Sequence, residues 1–351
     1  MPLLPDQLDD FVNLTLDNFT RKRWVDLSLD KQHHVFASKF LAGKSRTPVQ
    51  GGVQLNWKVQ TSNTGTAKFS ELYSVDQTAV KDLTTEAKQQ WSKATVNFSY
   101  DVHEDAMQSD RESLIRELDI RRHSMYNDYF ELMEDALWSA PSSDTQSPRN
   151  PSGIPFWIQK SATTPGGGFT GGNPSGFTNG AAGINVNTVS NWKNWSFNYT
   201  SISRDDLVSK WRKAVAHTHF KAPKQFAELA GGKGDSNWCF FTTYDVLEEV
   251  EKILEGRNDN LGVDLAKYAG SAVFKGNPII WVPYLQANDS SKPIYGVNFN
   301  AFKFFYKKGV DMLVHKPQQA SNQHTVRTVH MDSWGNFVCY NRRKLFVGYV
   351  A

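Results

Sequence analysis

The sequence predicts an α+β fold, and three observations support that prediction. Two segments, around residues 53–59 and 94–102, alternate apolar and polar side chains, as half-buried strands do. Residues 102–138 contain neither glycine nor proline and repeat apolar side chains at helical spacing. The later helix and strand signals follow no regular βαβ order, so a doubly wound parallel sheet is not predicted.

Composition narrows the classes of protein. The chain has 351 residues, a length that suggests two or three lobes. Its 39 basic and 36 acidic side chains are nearly balanced, so the net charge gives no general electrostatic case for nucleic-acid binding. Cys239 and Cys339 are too few for a disulfide framework or a cysteine-based zinc site. No apolar run approaches the ~20 residues of a membrane span, and the N-terminus lacks the plan of a signal peptide. We therefore expect no membrane partner and synthesis in a reducing cytosol.

Residues 1–45 predict an arm without a core of its own, with short amphipathic helices over residues 8–16 and 31–41. After the arm, the two alternating strands bracket residues 61–90, which carry few large apolar side chains. A two-stranded loop of this kind is marginally stable alone in water. We expect it to lie against another subunit or against the body of its own.

The run 102–138 predicts one long amphipathic helix that stops before Pro141. Glu112 with Arg116, and Glu117 with Arg121, have the i, i+4 spacing that supports an exposed face. Such a helix needs an extended surface to lie against, so we interpret it as a strut. Its apolar stripe consists of Leu114, Leu118, Met125, Tyr129, Met133 and Ala136.

The rest of the chain predicts mixed elements. Residues 152–183 are rich in glycine and predict a flexible surface loop. A strand over 195–199 precedes a helix capped by Ser203, and a strand from Trp238 leads into a helix that Gly256 ends. Residues 324–351 predict an antiparallel strand pair that turns at residues 333–336.

A search for enzymatic or cofactor chemistry finds no strong candidate. Gly43-Lys44-Ser45 ends like a phosphate-binding loop, but Ser38 stands where its first glycine belongs and the preceding segment looks helical. His217 and His219 lie at a predicted helix end, where residues two apart diverge. Acidic residues such as Glu248, Asp259 and Asp264 show no pairing as acid and base. We expect no catalytic residue, no metal and no cofactor.

The basic clusters are short. Arg342-Arg343-Lys344, and residues 21–23 near the start, contain three charges each. That number is too small to predict nucleic-acid binding, and it favours salt-bridge partners within or between subunits.

The order of these parts resembles the major capsid proteins of tailed bacteriophages with the Hong Kong 97-type fold, over nearly the whole chain. Particular segments strengthen the resemblance: Arg257–Leu265 (RNDNLGVDL), Asn277–Leu285 (NPIIWVPYL), Pro293–Val297 (PIYGV) and Cys339–Arg343 (CYNRR). The resemblance implies a homomeric shell of hexamers and pentamers, which forms an icosahedral head around double-stranded DNA. It implies a portal and a separate scaffolding protein as partners, admits a decoration protein, and places the chain in a virion assembled in the bacterial cytoplasm.

The resemblance also divides the chain. It implies an N-terminal arm (1–45), an extended loop (46–100), a peripheral domain with the spine helix and the glycine-rich loop (101–190), an axial domain (191–290) and a return to the peripheral domain (291–351). Loop, helix and basic residues are then expected to make the contacts between subunits: Val53, Leu55, Trp57, Lys58, Arg116, Arg121, Arg122, Arg342 and Arg343.

Two alternatives remain open from the sequence. The same fold builds encapsulin compartments, which enclose cargo enzymes. The 11 tryptophans and 12 tyrosines would also suit a soluble carbohydrate-binding or hydrolytic protein, because aromatic side chains load cores and binding surfaces alike.

Overall fold

The computed structural model describes residues 34–43, 45–73, 75, 81–103, 111–219, 237–255, 272–319, 321 and 323–350, except for the side chains of 111–117 and 254–255. Its strands are β1 (Arg46–Val49), β2 (Gln54–Gln60), β3 (Thr84–Gln90), β4 (Ser92–Asp101), β5 (Trp195–Tyr199), β6 (Trp238–Thr242), β7 (Val273–Phe274), β8 (Asn277–Trp281), β9 (Ile294–Asn298), β10 (Phe302–Lys307), β11 (Leu313–Val314), β12 (Gln318–Gln319), β13 (Val326–Cys339) and β14 (Phe346–Val350). Its α-helices are α1 (Arg111–Leu137), α2 (Ile154–Trp157), α3 (Ser209–Thr218), α4 (Tyr244–Glu255) and α5 (Pro283–Asn288). Phe36–Leu41 and Arg204–Val208 are π-helical, and Arg342–Lys344 is a 3₁₀ turn.

The long strand β13 organises the first sheet. The neighbours run β1-β10-β13-β11, and β4 and β12 also pair with β13. β4 lies antiparallel to β13 from Asp101 opposite Val326 to Ser92 opposite Gly335. β10 pairs with the last residues of β13, and β1 adds a parallel edge strand to β10.

The predicted turn at residues 333–336 is wrong, because β13 runs straight through it. Gly335 is needed for packing: a Cβ there would lie 2.2 Å from Cζ of Phe304. Ser333 accepts a hydrogen bond from the Tyr129 hydroxyl at 2.9 Å. The Asn336 amide donates to the Gln90 carbonyl at 2.7 Å. Residues that resemble a turn in sequence therefore contact the neighbouring strand β10, the long helix α1 and the strand β3.

The second sheet has the order β5-β14-β9-β6-β8-β7. β14 belongs here, parallel to β5 and antiparallel to β9, so residues 324–351 do not form a strand pair. Trp211 of α3 and Val246 of α4 are buried in the core of this sheet, which also contains Phe240 and Phe346. Because β9 and β14 are members, the sheet extends beyond the predicted axial segment 191–290.

The predicted stripe of the long helix is confirmed where its side chains are described. Met125, Tyr129, Met133 and Ala136 are buried, Leu118 is half-buried, and α1 packs along β4. The helix ends at Leu137, as predicted. Residues 104–110 of its predicted start, and the side chain of Leu114, lie outside the described residues.

The helix leads into the contact between the two sheets. Trp138 directly follows α1, and its ring centroid lies 5.3 Å from that of Phe241 on β6 and 6.1 Å from that of Tyr295 on β9. One apolar cluster therefore includes residues of α1, the first sheet and the second sheet.

The glycine-rich segment 152–183 packs into the core, so the predicted surface loop is wrong. Ile154, Phe156 and Trp157 are buried. Its glycines permit close approach: a Cβ on Gly171 would lie 1.8 Å from Oδ1 of Asn194. Within the described residues, no helix is both long enough and apolar enough to cross a bilayer.

Candidate assembly surfaces

β2 and β3 form a separate antiparallel hairpin, paired from Gln54 opposite Gln90 to Gln60 opposite Thr84. The predicted loop is thus present, but the pairing of its strands was wrong. The segment 94–102 forms most of β4 in the first sheet, and the partner of β2 comes from within residues 61–90. The sequence of β3, TTEAKQQ, has no apolar alternation, so periodicity does not reveal it.

The base of the hairpin rests on its own subunit. Leu55 is buried in a small cluster with Phe305 and Val338. The ring of Trp57 lies 6.4 Å from that of Trp157 and 6.3 Å from that of Tyr340, centroid to centroid. The hairpin is therefore supported at its base by the body of the same chain, which is one of the two supports expected from the sequence.

Hydrogen bonds fix the direction in which the hairpin leaves the body. Gln89 is buried and its amide donates to Oγ of Ser152 at 2.6 Å. The backbone N–H of Lys88 donates to the Ala182 carbonyl at 2.9 Å. The Trp91 indole donates to the carbonyl of Gly52 at 3.0 Å, and Gly52 has a φ of +122°, which a residue with a side chain rarely adopts.

The far end of the hairpin exposes large apolar side chains. Phe69 and Tyr73 are fully exposed, and Leu72 and Val75 nearly so. Single exposed apolar residues are common on proteins, but several within one short stretch mark a contact surface. The site residues predicted from sequence do not include this group, which we name the hairpin tip. The sequence feature that could have identified them is the presence of large apolar residues within the otherwise polar segment 61–90.

The predicted contact residues of the hairpin differ in exposure. Val53 is 96% exposed and Lys58 is exposed, so both are accessible to a neighbour. Trp57 is half-buried. Leu55 lies inside its own subunit, with only 6% of its surface exposed, so the structure does not place it at an outer surface.

The arginines of the long helix that are predicted to contact a neighbouring subunit also differ in exposure. Arg122 is exposed. Arg121 is half-buried and donates from Nη1 to the carbonyl of Ser99 on β4 at 3.3 Å. The side chain of Arg116, and those of Glu112 and Glu117 in the predicted ion pairs, lie outside the described residues.

Arg342 is enclosed in its own subunit, which corrects its prediction as a contact between subunits. Its guanidinium donates to the carbonyls of Trp157, Trp192 and Gly172, and to Oδ1 of Asn194, at 2.8–3.2 Å. Burial lowers its pKa to about 10. The side chain thereby joins the glycine-rich segment, which includes α2, to residues 192–194 just before β5, through neutral acceptors rather than the predicted salt bridge.

Arg343, unlike the enclosed Arg342, is only partly buried and contacts a polar and an aromatic side chain. It is half-buried, donates to Oδ1 of Asn191 at 3.2 Å, and places its guanidinium carbon 4.3 Å from the ring centroid of Phe169.

A buried carboxyl ties the end of the arm to the long helix. Glu134 accepts hydrogen bonds from the backbone N–H of Phe36 and from the Trp138 indole, each at 2.7 Å. Burial raises the pKa of this carboxyl. Phe36 and Phe40 are buried. Of the predicted helix 31–41, the structure shows the π-helical turn Phe36–Leu41, and residues 31–33 lie outside the described residues. The predicted helix 8–16 lies outside the described residues.

The histidine, cysteine and serine residues considered as candidates for catalysis or ligand binding do not form a common site in the described part of the chain. His217 stacks on Trp195 and His219 on Trp238, and the described residues contain no cluster of metal-ligating side chains. Cys239 and Cys339 are buried thiols, and burial raises the pKa of Cys339 to about 12. Ser45 lies between a helical turn and β1, the reverse of the strand-loop-helix order of a phosphate-binding loop. Asp259 and Asp264 lie outside the described residues.

The comparisons with known proteins concern the fold. No protein-family model matches the chain, and no curated protein matches it. The cyanophage A-1(L) capsid asymmetric unit contains a similar chain, with a TM-score of 0.59 at 11% identity over 92% of this chain and 94% of that one. The capsid of an empty GTA particle gives 0.56 at 11% identity over 96% of each chain. A chain of Gordonia phage Cozz gives 0.51 at 15% identity, over 97% of this chain and 92% of that one. This protein has the α+β, Hong Kong 97-type fold of phage capsid proteins, as its sequence predicts.

Proposed function

We propose that this chain is the major capsid protein of a tailed bacteriophage, a structural protein without enzymatic activity. It self-assembles into hexamers and pentamers of an icosahedral head around double-stranded DNA. The observation that carries the proposal is the β2–β3 hairpin, whose base is fixed to its own subunit while its tip presents Phe69, Leu72 and Tyr73 to solvent. A neighbouring copy buries this tip, and each buried side chain contributes about 1.5–3 kcal/mol.

A groove beside the long helix is a suitable acceptor. It has a volume of about 420 Å³ and runs between α1 and the start of β4. Leu132, Met133 and Ala94 line it, and Leu132 is exposed over 48% of its surface. In the proposed shell, the hairpin tip of one subunit lies along this groove of the next, so that the long helix acts as a bar of the lattice.

The fold likeness to phage capsids supports the same role. The predicted arm, extended loop, peripheral and axial segments keep their assembly roles within this proposal, and the portal, scaffolding and decoration proteins remain its expected partners in a virion formed in the bacterial cytoplasm. The carbohydrate-binding alternative loses its support, because Trp138, Trp157, Trp192, Trp195, Trp211 and Trp238 are buried.

Replacing the tip tests the proposal. The variant Phe69→Ser/Leu72→Ser/Tyr73→Ser should keep the thermal unfolding of the wild-type subunit but fail to form particles in the electron microscope. Thr64→Ala/Thr66→Ala/Ser70→Ala changes exposed polar residues of the same loop and should assemble normally. Normal particles from the apolar-to-serine variant would contradict the proposed contact.

A further inference from the structure

We propose that a cleft between α2, α5 and β9 binds a small neutral molecule that carries a carboxamide on an aromatic ring. The cleft has a volume of about 390 Å³, which lies within the range of ligand pockets in proteins. Of its lining residues, only Tyr284 also lines the groove beside α1, so the two sites are distinct. We name it the α5 cleft, and the lining residues that matter here are Trp138, Ile158, Lys160, Leu285, Asp289 and Tyr295.

One side of the α5 cleft is apolar. Trp138, Ile158 and Leu285 belong to the core of the subunit and border the cleft. The indole N–H of Trp138 donates to Glu134 at 2.7 Å, so the indole presents carbon surface to the cleft and no hydrogen-bonding group. A surface of this kind packs well against a planar aromatic ring.

The phenol of Tyr295 is the polar group at the bottom of the cleft. Tyr295 exposes only 2% of its surface, and its hydroxyl forms no hydrogen bond with another described residue. Burial raises the pKa of Tyr295, and the charge of Asp289 raises this pKa further, so the phenol keeps its proton at neutral pH. Because Asp289 also borders the cleft, its effect indicates that the hydroxyl end of Tyr295 faces the cleft. A ligand oxygen would satisfy this buried donor.

An ion pair supplies further polar groups without adding net charge. The Lys160 ammonium donates to Asp289 and, at 2.8 Å, to Oγ of Ser291, which uses two of its three N–H donors. The Asp289 carboxylate also accepts from the backbone N–H and the hydroxyl of Ser291, at 3.2 and 2.7 Å. These bonds fix both side chains, and each retains hydrogen-bonding capacity for a ligand.

This set of groups determines the class of ligand. Tyr295 and Lys160 can donate to a carbonyl oxygen, and Asp289 can accept from an N–H beside it. A primary carboxamide presents both groups on one plane. Because the charges of Lys160 and Asp289 offset each other, a charged ligand would lose its hydration without gaining a counter-ion. A neutral amide has less hydration to lose, and its ring packs against Trp138.

The first experiment compares three probes that share one ring and differ in charge: benzamide, benzoate and benzylamine. Binding of each probe to the full-length chain is measured by saturation-transfer NMR. The midpoint of thermal unfolding provides a second readout, because a ligand that binds only the folded chain stabilises it. Benzamide should bind at least about tenfold more tightly than either charged probe, since only the charged probes pay the cost of an unpaired charge.

Two pairs of variants then locate the binding. Tyr295→Phe deletes only the hydroxyl and should weaken benzamide binding about two- to tenfold, the effect of one hydrogen bond. Tyr340→Phe makes the same deletion at an exposed tyrosine outside the cleft and should bind as the wild type does. Asn288→Trp places a large ring at an exposed residue of the cleft and should abolish binding. Ala287→Trp, at the adjacent exposed position that does not line the cleft, should not.

Three results would overturn the proposal. They are equal binding of the three probes, no binding of benzamide by the wild type, or wild-type affinity in both Tyr295→Phe and Asn288→Trp. The inference does not rest on the proposed function, and the two can fail separately. A wild-type chain that binds benzamide in the predicted way but forms no particles would support the cleft and contradict the shell.

Discussion

Glu134 in the long helix and Phe36 at the end of the arm, 98 positions apart in sequence, are joined by a hydrogen bond of 2.7 Å between carboxyl and backbone N–H. The bond connects the two segments that the resemblance assigns to different functions, arm and spine. Around it, the ring of Phe36 contacts those of Tyr129, Phe304 and Phe337. The end of the arm is thus part of the subunit core, held by one buried acid and a group of aromatic rings.

The first prediction concerns the pH dependence that Glu134 causes. Burial raises its folded pKa above the unfolded value of about 4.3, so folding favours the protonated form. The stability contributed by this group is complete below the unfolded pKa and is lost as pH rises through the folded pKa. Urea unfolding of the wild type should show this loss.

In Glu134→Gln the loss of folding stability with rising pH should disappear, because the amide does not titrate. Overall stability should fall by about 1–3 kcal/mol, because the amide –NH₂ faces one of the two N–H donors. Glu131→Gln, on the same helix but only half-buried, serves as the control and should keep the wild-type pH dependence. An unchanged pH dependence in Glu134→Gln would contradict the role of this carboxyl.

The second prediction concerns Arg342. Arg342→Lys keeps a cation but cannot reach all four acceptors, so buried carbonyls lose their partners, each at a cost of about 1–3 kcal/mol. The free energy of unfolding, measured in urea, should fall by at least about 3 kcal/mol. Arg343→Lys, at a half-buried position next to it, should lose less than about 1 kcal/mol. Equal effects of the two substitutions would show that Arg342 is not the link between these segments.

The third prediction concerns the long helix. Leu118→Pro removes a backbone donor within α1 and clashes with the preceding turn, at a cost of about 3 kcal/mol or more. Particles should be absent from electron micrographs of this variant. Asp119→Ala, at the adjacent exposed position, preserves the helix and should assemble. Normal particles from Leu118→Pro would refute the assignment of α1 as the strut of the shell.

Periodic elements could be predicted from the sequence, whereas elements that depend on distant partners could not. The stripe of Met125, Tyr129 and Met133 follows helical spacing and is buried as expected. β3 is polar, and its buried Gln89 donates a hydrogen bond to Ser152, which lies 63 positions away in sequence. A pattern of local residues contains no information about that partner.

The predictions for two glycines are wrong for the same reason, because their structural role depends on distant residues. Gly335 and Gly171 resemble turn or loop residues in sequence, but each allows a distant side chain, Phe304 or Asn194, to approach the backbone. The tip residues Phe69 and Tyr73 escaped notice for the opposite reason. They are exposed on their own chain, and a search for buried core residues does not identify exposed side chains.

Sedimentation velocity of the purified chain, with electron microscopy of the same sample, tests the central claim most directly. We predict closed particles of hundreds of subunits, formed at high protein concentration when scaffolding protein is supplied. A chain that stays a monomer or small oligomer under those conditions, with the folded structure intact by circular dichroism, would contradict the assignment of this protein as a shell subunit.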